Sequence, residues 1–516
     1  MFALLTSTQL TFLGLALLFY AVSLGLLWKN KISWAVFALT VAGLFTFLLA
    51  AFMDTHLHIW DERFHALVAK NMMQQPFRPA LYNEVWIPFE HDRWDRQHIW
   101  LHKQPLFMWL MSGSMKLFGV NPTAIRIPSA ILATLLIPVL FRMGKLLVSP
   151  KTGFVAAFLW ATAFYAFQLV SGQQGMDHND LAFVCLITFS IWAWIEYQLE
   201  TRPKYRLRWL LLIGLFSGLA VLCKWLVGLL VYAAWGVYWL LNKIQWSELK
   251  NMLLSLIVTI VVFLPWQLYT FSRFPAEAAF EMKFNSLHFT SVVSGHGGNA
   301  FFYFEKLPDL YGWFITVLLP IGLFFLFKRI KFKALRIPIV TMPVVVYLFF
   351  TIAKTKIQTF PFVVAPLLLL GVACFITYLI SFIKHENIGK TILLIGIVSL
   401  FWLNFQPLKL AKLHTDFKKE NWEKRVLNHN RLLFKKYQET FPENAILFNI
   451  PGRFYVDAMF YTDFPAYSII PNKVQYQAVK KDKRTIVIVD PKEPLPDYLA
   501  NDSTIIITND LIYEHE

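Results

Sequence analysis

The feature that most constrains this chain is the recurrence of apolar runs long enough to cross a bilayer, a length of about 17 to 25 residues as helix. They fall near 8 to 28, 33 to 53, 127 to 148, 153 to 170 and 181 to 199. Further runs lie near 252 to 269, 311 to 327, 336 to 353, 360 to 383 and 389 to 404, and residues 209 to 242 read as two short spans broken at Lys224. The count is about twelve helices. With 57% hydrophobic, 17% aromatic and 16% charged residues in 516, the composition excludes a soluble fold of this size and defines a polytopic α-helical membrane protein. The first run has no Lys or Arg before it and no small-residue cleavage site after it, so it reads as a retained helix rather than a signal peptide.

A net charge of +16 is compatible with nucleic-acid binding, but the basic residues concentrate in short loops, where they set orientation. Lys29 with Lys31, Lys145 with Lys151, Arg202 to Arg208, Lys243 with Lys250, Lys328 to Lys333, and Lys384 with Lys390 share one side, cytoplasmic by the positive-inside rule. The opposite side then receives Asp61, the 171 to 180 loop, Lys224, the 271 to 308 loop, Lys354 to Phe360 and everything after 405. The expectation is a membrane protein whose chemistry sits outside the cytoplasm, with no nucleic-acid partner. Cys185, Cys223 and Cys374 sit in apolar runs and offer neither a disulfide framework nor a thiolate metal site.

Two domains are expected: a membrane domain over 1 to 404, containing a long extracytoplasmic loop at 54 to 126, and a small extracytoplasmic α/β domain over 405 to 516. In the loop, Phe64, Leu67, Val68 and Met72 recur at helical spacing, and Pro105 to Val120 is a second apolar helix; both suit the membrane interface. In the tail, a charged helical stretch from Lys418 to Tyr437 precedes β-like runs at Ala445 to Ile450, Thr485 to Val489 and Thr504 to Thr508, with a helix-like piece at Arg453 to Tyr461. The tail has no phosphate-cradling glycine motif and is assigned no chemistry.

Charge at membrane depth marks candidate sites, because desolvating an ionisable group is costly unless it works for its place. Asp61-Glu62 stands just beyond a span, although a solvated loop beginning with acids is the plainer reading of the pair by itself. Lys224 interrupts an apolar stretch, against the alternative of a lysine snorkelling from a helix end. Arg126 opens a span, where interfacial anchors are common. Lys354 and Lys356 run against the charge bias of their side, or belong to a solvated loop. Asp180 reads as a helix N-terminal acid. His98 and His102 have the i, i+4 spacing of zinc ligands if their stretch is helical, and Asp61 and Glu62 could join them on a cation; histidines without a metal are commoner.

In order along residues 33 to 370, these motifs resemble those of the bacterial relatives of protein O-mannosyltransferases and of the lipid A aminoarabinose transferase, membrane glycosyltransferases of the GT-C type. Asp61-Glu62 with Phe64-His65 resembles the family's Asp-Glu motif, His65 standing where Tyr is usual. His102-Lys103-Gln104-Pro105-Leu106 resembles its Lys-Pro-Pro-Leu motif, with Gln104 for the first proline. Val120-Asn121 with Arg126-Ile127-Pro128-Ser129, Asp177 as a second loop aspartate, Lys224 at a Lys-Gly-Pro position now followed by Trp225, Pro265-Trp266, and Lys354-Thr355-Lys356 with Pro361 continue the series.

The resemblance implies transfer of one sugar, with inversion, from a polyprenyl-phosphate-linked donor to a lipid, protein or glycan acceptor outside the cytoplasm. Asp61 is then the base for the acceptor hydroxyl, or orients an acceptor phosphate, with Glu62 supporting it or binding a cation. Asp177 joins the catalytic set. Lys103, Lys224, Arg126, Lys354 and Lys356 are the cations for the donor phosphate, and His65 and His296 are placed in the substrate cavity. No cofactor is required, and a divalent cation is compatible with the site. A transporter, an oligosaccharide ligase or polymerase, and a non-catalytic envelope scaffold are the competing readings.

Overall fold

A computed structural model of the chain describes residues 5 to 87, 93 to 174, 178 to 242, 244 to 406, 409 and 422 to 514. In chain order its helices are α1 (Ser7–Trp28), α2 (Ile32–Ala51), α3 (Asp61–Met72), α4 (Pro105–Phe118), α5 (Pro122–Leu147), α6 (Pro150–Ala161), α7 (Phe164–Ser171), α8 (His178–Leu199) and α9 (Pro203–Lys224). They continue as α10 (Leu230–Leu241), α11 (Trp246–Arg273), α12 (Pro275–Thr290), α13 (Phe302–Glu305), α14 (Leu307–Tyr311), α15 (Trp313–Arg329), α16 (Lys333–Ile352), α17 (Ala365–Ile380) and α18 (Glu386–Phe405). The tail carries α19 (Trp422–Thr440), β1 (Ala445–Phe448), α20 (Phe454–Tyr461), α21 (Lys473–Lys481), β2 (Thr485–Val489), α22 (Asp497–Ala500) and β3 (Ile506–Thr508).

Among the described residues nine helices are long and apolar enough to cross a membrane, or eleven if two bent pairs each count as one span. The bends are 42° between α6 and α7 and 113° before α15. The stretch that completes the sequence-based count of about twelve is Leu226–Leu241, a shorter apolar helix. The break expected at Lys224 is real: α9 ends there, and Trp225 takes φ 84°, ψ −161°.

The chain divides into two compact units. The first comprises residues 1 to 53, 103 to 107 and 126 to 411, and the second 54 to 102, 108 to 125 and 412 to 516. Where the sequence reading keeps the 54 to 126 loop with the membrane domain, most of that loop packs with the tail.

The first unit is a helix bundle in which several buried polar side chains pair with backbone of neighbouring helices, as apolar surroundings favour. Thr6 caps α1 through a reciprocal pair with Gln9, whose amide also donates to the Phe52 and Met53 carbonyls (2.8 and 3.1 Å), tying the start of α1 to the end of α2. The Tyr20 hydroxyl donates to the Ala161 carbonyl at 2.8 Å. Helices α15 and α17 cross backbone to backbone at Gly322 and Gly371, where a Cβ on Gly322 would come within 2.6 Å of the Val372 nitrogen. Small residues permit such close crossings where lipid supplies no hydrophobic drive for association. Helix α8 is almost wholly buried at the centre of this unit.

In the second unit, β1, β2 and β3 form a parallel sheet in that order, with Ala445 opposite Thr485 and Val487 opposite Ile506. Parallel neighbours need crossover connections; α20 and α21 supply one and α22 the other. The strands appear where the alternation of β-like and helix-like pieces places them. Of the charged helical stretch, residues up to 421 lie outside the described residues, and the remainder forms α19.

Candidate active site

In the second unit the candidate acids open α3, where the helix N-terminus favours carboxylates. The preceding residue, Trp60, holds φ 68°, ψ −128°, a region that costs a non-glycine residue on the order of 1 to 3 kcal/mol and that recurs at functional sites. Asp61 is half-buried and Glu62 buried, with Oε2 accepting from the His58 amide at 2.6 Å. His65 is buried against Trp100, ring centroids 5.6 Å apart.

Helix α3 is fixed from one side by the tail. Arg63 Nη1 lies 3.1 Å from Asp457 Oδ2 on α20, both buried, and the guanidinium covers the Phe454 ring at 4.9 Å. The Leu57 amide donates to the Tyr461 hydroxyl at 2.8 Å. Lys70 donates to the Met459, Phe460 and Thr462 carbonyls at 2.6 to 3.2 Å, so its ammonium caps the C-terminus of α20. Burial pushes the Asp457 carboxyl up to about 6, against the pull of Arg63.

Ahead of α3, Asp54, His56 and His58 bring their ligand atoms within 4.8 Å of one another, all three residues buried. Asp54 Oδ2 is 3.2 Å from His58 Nε2, and Oδ1 accepts from Lys424 Nζ at 3.0 Å. Burial raises the Asp54 carboxyl, but the hydrogen bond from His58 and the charges of His56, His58 and Lys424 outweigh it and hold it well below the usual range. Two imidazoles and a carboxylate form a donor set suited to zinc-like cations.

The set expected for a cation is arranged differently. Residues 94 to 102 are turn and extended chain rather than helix, because Ile99 bridges Ala80 and the Trp100 amide donates to the Pro79 carbonyl at 2.7 Å. The i, i+4 geometry assumed for His98 and His102 therefore does not arise. His98 Nε2 is 2.6 Å from Arg78 Nη2, and His102 stacks on Trp94 at 4.7 Å. Burial, then the Arg78 charge, pulls His98 down to about 4.

In the first unit, Lys224 forms an ion pair with Asp180 in the first turn of α8 and lies 5.0 Å over the Phe360 ring. Asp180 is thus the lysine's partner as well as a helix N-terminal acid. Beside it, Cys223 Sγ donates to Asn179 Oδ1 at 2.9 Å. Arg126 is fully buried on α5, which rules out the exposed anchor its position allows. Lys103 is half-buried, and its neighbour Gln104 accepts from Gln267 at 2.8 Å, linking the Lys103 motif to the residue after Pro265-Trp266.

The segment after α16 separates its two lysines. Lys356 is buried and donates to the Thr351 and Ala353 carbonyls at 2.7 and 2.9 Å, so its ammonium is spent on a helix C-terminus. Lys354 is exposed and makes no ion pair among the described residues. The Lys356 amide donates to the His296 carbonyl at 2.9 Å, bringing the exposed His296 loop to this segment. Asp177 lies outside the described residues.

Sequence reasoning missed Arg63, Asp457 and the Asp54, His56, His58 group. The alternating Asp-x-His-x-His spacing at 54 to 58 was legible as a donor set; the pairing of Arg63 with a residue 394 positions away (457 − 63) was not.

A helical membrane bundle and a small parallel sheet give this chain a fold similar to that of solved ArnT structures. Among solved structures, the chain is similar to ArnT from Cupriavidus metallidurans bound to undecaprenyl phosphate, with a TM-score of 0.64 and 16% identity over 88% of this chain and 90% of that one. It also resembles the archaeal oligosaccharyltransferase AglB from Archaeoglobus fulgidus, with a TM-score of 0.54 and 11% identity over 85% of this chain and 64% of that one. Residues 102 to 269 match the family model described as dolichyl-phosphate-mannose-protein mannosyltransferase. Curated relatives include an uncharacterized protein of Aquifex aeolicus, 29% identical over 37% of this chain and 35% of the relative. The undecaprenyl phosphate-alpha-4-amino-4-deoxy-L-arabinose arabinosyl transferase 1 of Pseudomonas fluorescens is 25% identical over 48% of this chain and 47% of its own length. The chain thus matches less than half the length of these curated relatives.

Proposed function

We propose that the protein is an inverting glycosyltransferase that moves a single sugar from a polyprenyl-phosphate-linked donor to an acceptor outside the cytoplasm: a lipid A-type glycolipid, a protein or an envelope glycan. The observation that carries the reading is the acid pair Asp61-Glu62, set at the head of α3 behind a strained Trp60, in a chain that shares the ArnT fold over most of its length.

The acceptor oxygen attacks the anomeric carbon as the bond from that carbon to the donor phosphate oxygen breaks. Asp61 takes the acceptor proton, and the bonding pair leaves with the polyprenyl phosphate. Glu62, held by the His58 amide, supports the turn that carries Asp61. Lys103, Lys224 and Arg126 compensate the charge that grows on the phosphate, the term that contributes most where charge develops. Lys354, exposed, serves the donor as it arrives, and the reading gives His65 and His296 roles towards the substrate and Asp177 a catalytic one. The reading needs no cofactor; Asp54, His56 and His58 are the residues that would hold a divalent cation.

A second reading, transfer of a lipid-linked oligosaccharide, draws support from the likeness to AglB. Comparative mass spectrometry of lipid A, glycopeptides and envelope polysaccharide tests both, using cells that express wild type or Asp61→Asn at matched membrane levels. Loss of one sugar mass from one class supports the proposal and names the acceptor. Loss of a whole glycan favours the second reading, and an unchanged profile would sink both in favour of a transporter or scaffold.

A further inference from the structure

Five helix ends of the first unit surround a cavity of about 710 Å³: the starts of α6, α16 and α18 and the ends of α15 and α17. Six cations line it, namely Lys151, Lys328, Arg329, Lys331, Arg336 and Lys384, against one acid, Glu386. That acid is already engaged, since Lys390 lies 2.7 Å from Glu386 Oε1. None of the six cations has an ion pair among the described residues. The positive-inside rule accounts for basic residues at this end of the bundle. It does not account for six converging from three separate stretches of chain (151, 328 to 336 and 384) on one concavity, where like charges repel and the lining offers no free counter-charge.

The rest of the lining is amphipathic. Ile330, Ile380 and Ile383 supply apolar walls, and a hydroxyl pair between Thr152 and Thr377 (2.8 Å) supplies a polar surface. The guanidinium of Arg329 rests over the Tyr378 ring at 5.3 Å, and Arg336 Nε donates to the Ile330 carbonyl at 2.9 Å, which orients both groups and leaves their other N–H groups available. Convergent cations beside apolar walls at the ends of membrane helices match a ligand that is anionic at one end and apolar at the other.

We propose that this cavity binds the phosphate headgroup of an anionic phospholipid, with the acyl chains along the neighbouring helices. Basic pockets between membrane helices recognise such headgroups, and a basic residue near an anionic surface contributes about 1 kcal/mol, on the order of fivefold in affinity. The site is independent of the proposed transfer reaction and needs neither its donor nor its acceptor.

The test is native mass spectrometry of the delipidated full chain in detergent, titrated with phosphatidylglycerol, with phosphatidylcholine, and with phosphatidylglycerol plus millimolar inorganic phosphate. Preference for phosphatidylglycerol is expected, with affinity falling about tenfold or more in Arg336→Gln/Lys384→Gln. The control Lys204→Gln/Arg208→Gln removes two exposed cations from the start of α9, in a stretch of the same charge class, and should leave binding unchanged. Equal binding of both lipids, or an equal loss in the control, would overturn the site. Displacement by inorganic phosphate would assign the cavity to a soluble anion and overturn the lipid. Monodisperse elution of each variant confirms that folding is retained.

Discussion

Arg63 on α3 and Asp457 on α20 form a buried ion pair, 3.1 Å apart and 394 residues distant in sequence (457 − 63), which joins the helix that carries Asp61 and Glu62 to the C-terminal α/β fold. Removing one member of such a pair strands a buried charge and costs about 3 to 5 kcal/mol, whereas replacing both by apolar residues is often neutral. Asp457→Leu is therefore expected to lower both thermal stability and activity. Arg63→Met/Asp457→Leu should recover much of the stability, a double-mutant cycle followed by thermal unfolding in detergent.

Lys224 is held by Asp180 and by the Phe360 ring, so under the proposed function its ammonium is positioned before the donor binds. Losing one preorganised group that stabilises transition-state charge costs about 100- to 1,000-fold in kcat. Lys224→Met should show a loss of that order in a donor-hydrolysis or transfer assay, Lys224→Arg a smaller one, and Asp180→Asn a loss weighted towards kcat rather than KM.

The two lysines after α16 should separate in assay. Lys356→Met removes the cap on α16 and is expected to lower thermal stability by about 1 to 2 kcal/mol. Lys354→Gln, at an exposed position, should leave stability unchanged and raise KM for the polyprenyl donor. A reversed pattern in paired unfolding and kinetic measurements would count against the assignment of Lys354 to the donor.

Acid should weaken the second unit through His98. Burial and Arg78 lower its folded pKa to about 4, against an unfolded value of about 6.5. Between those values the unfolded state binds more protons, so the neutral imidazole's contribution is complete above about 6.5 and lost as pH falls towards 4. Because His98 is partly exposed, the effect between pH 7 and 5 is on the order of 1 kcal/mol after allowance for solvent screening. Asp457 acts in the opposite sense, its raised carboxyl favouring the fold as pH falls from about 6 towards 4. Comparing unfolding of wild type and His98→Asn at the two pH values isolates the histidine: the variant should lose less stability on acidification.

Length and patterning alone determined the membrane class, because an apolar run of span length has few alternatives to crossing a bilayer. The same local logic located α3 and α4, the break after Lys224 and all three strands, since helical and strand periodicity are properties of neighbouring residues. The candidate acids and lysines were legible for a related reason: charge beside an apolar run is conspicuous in sequence. Only the tertiary structure showed that Asp180 pairs with Lys224, that Lys356 is consumed by a helix end while Lys354 is not, and that most of the 54 to 126 loop packs with the tail. Helical spacing for His98 and His102 failed because a bridge between Ile99 and Ala80 extends that stretch. Such pairings depend on which distant segments desolvate one another, and no local pattern of residues encodes that.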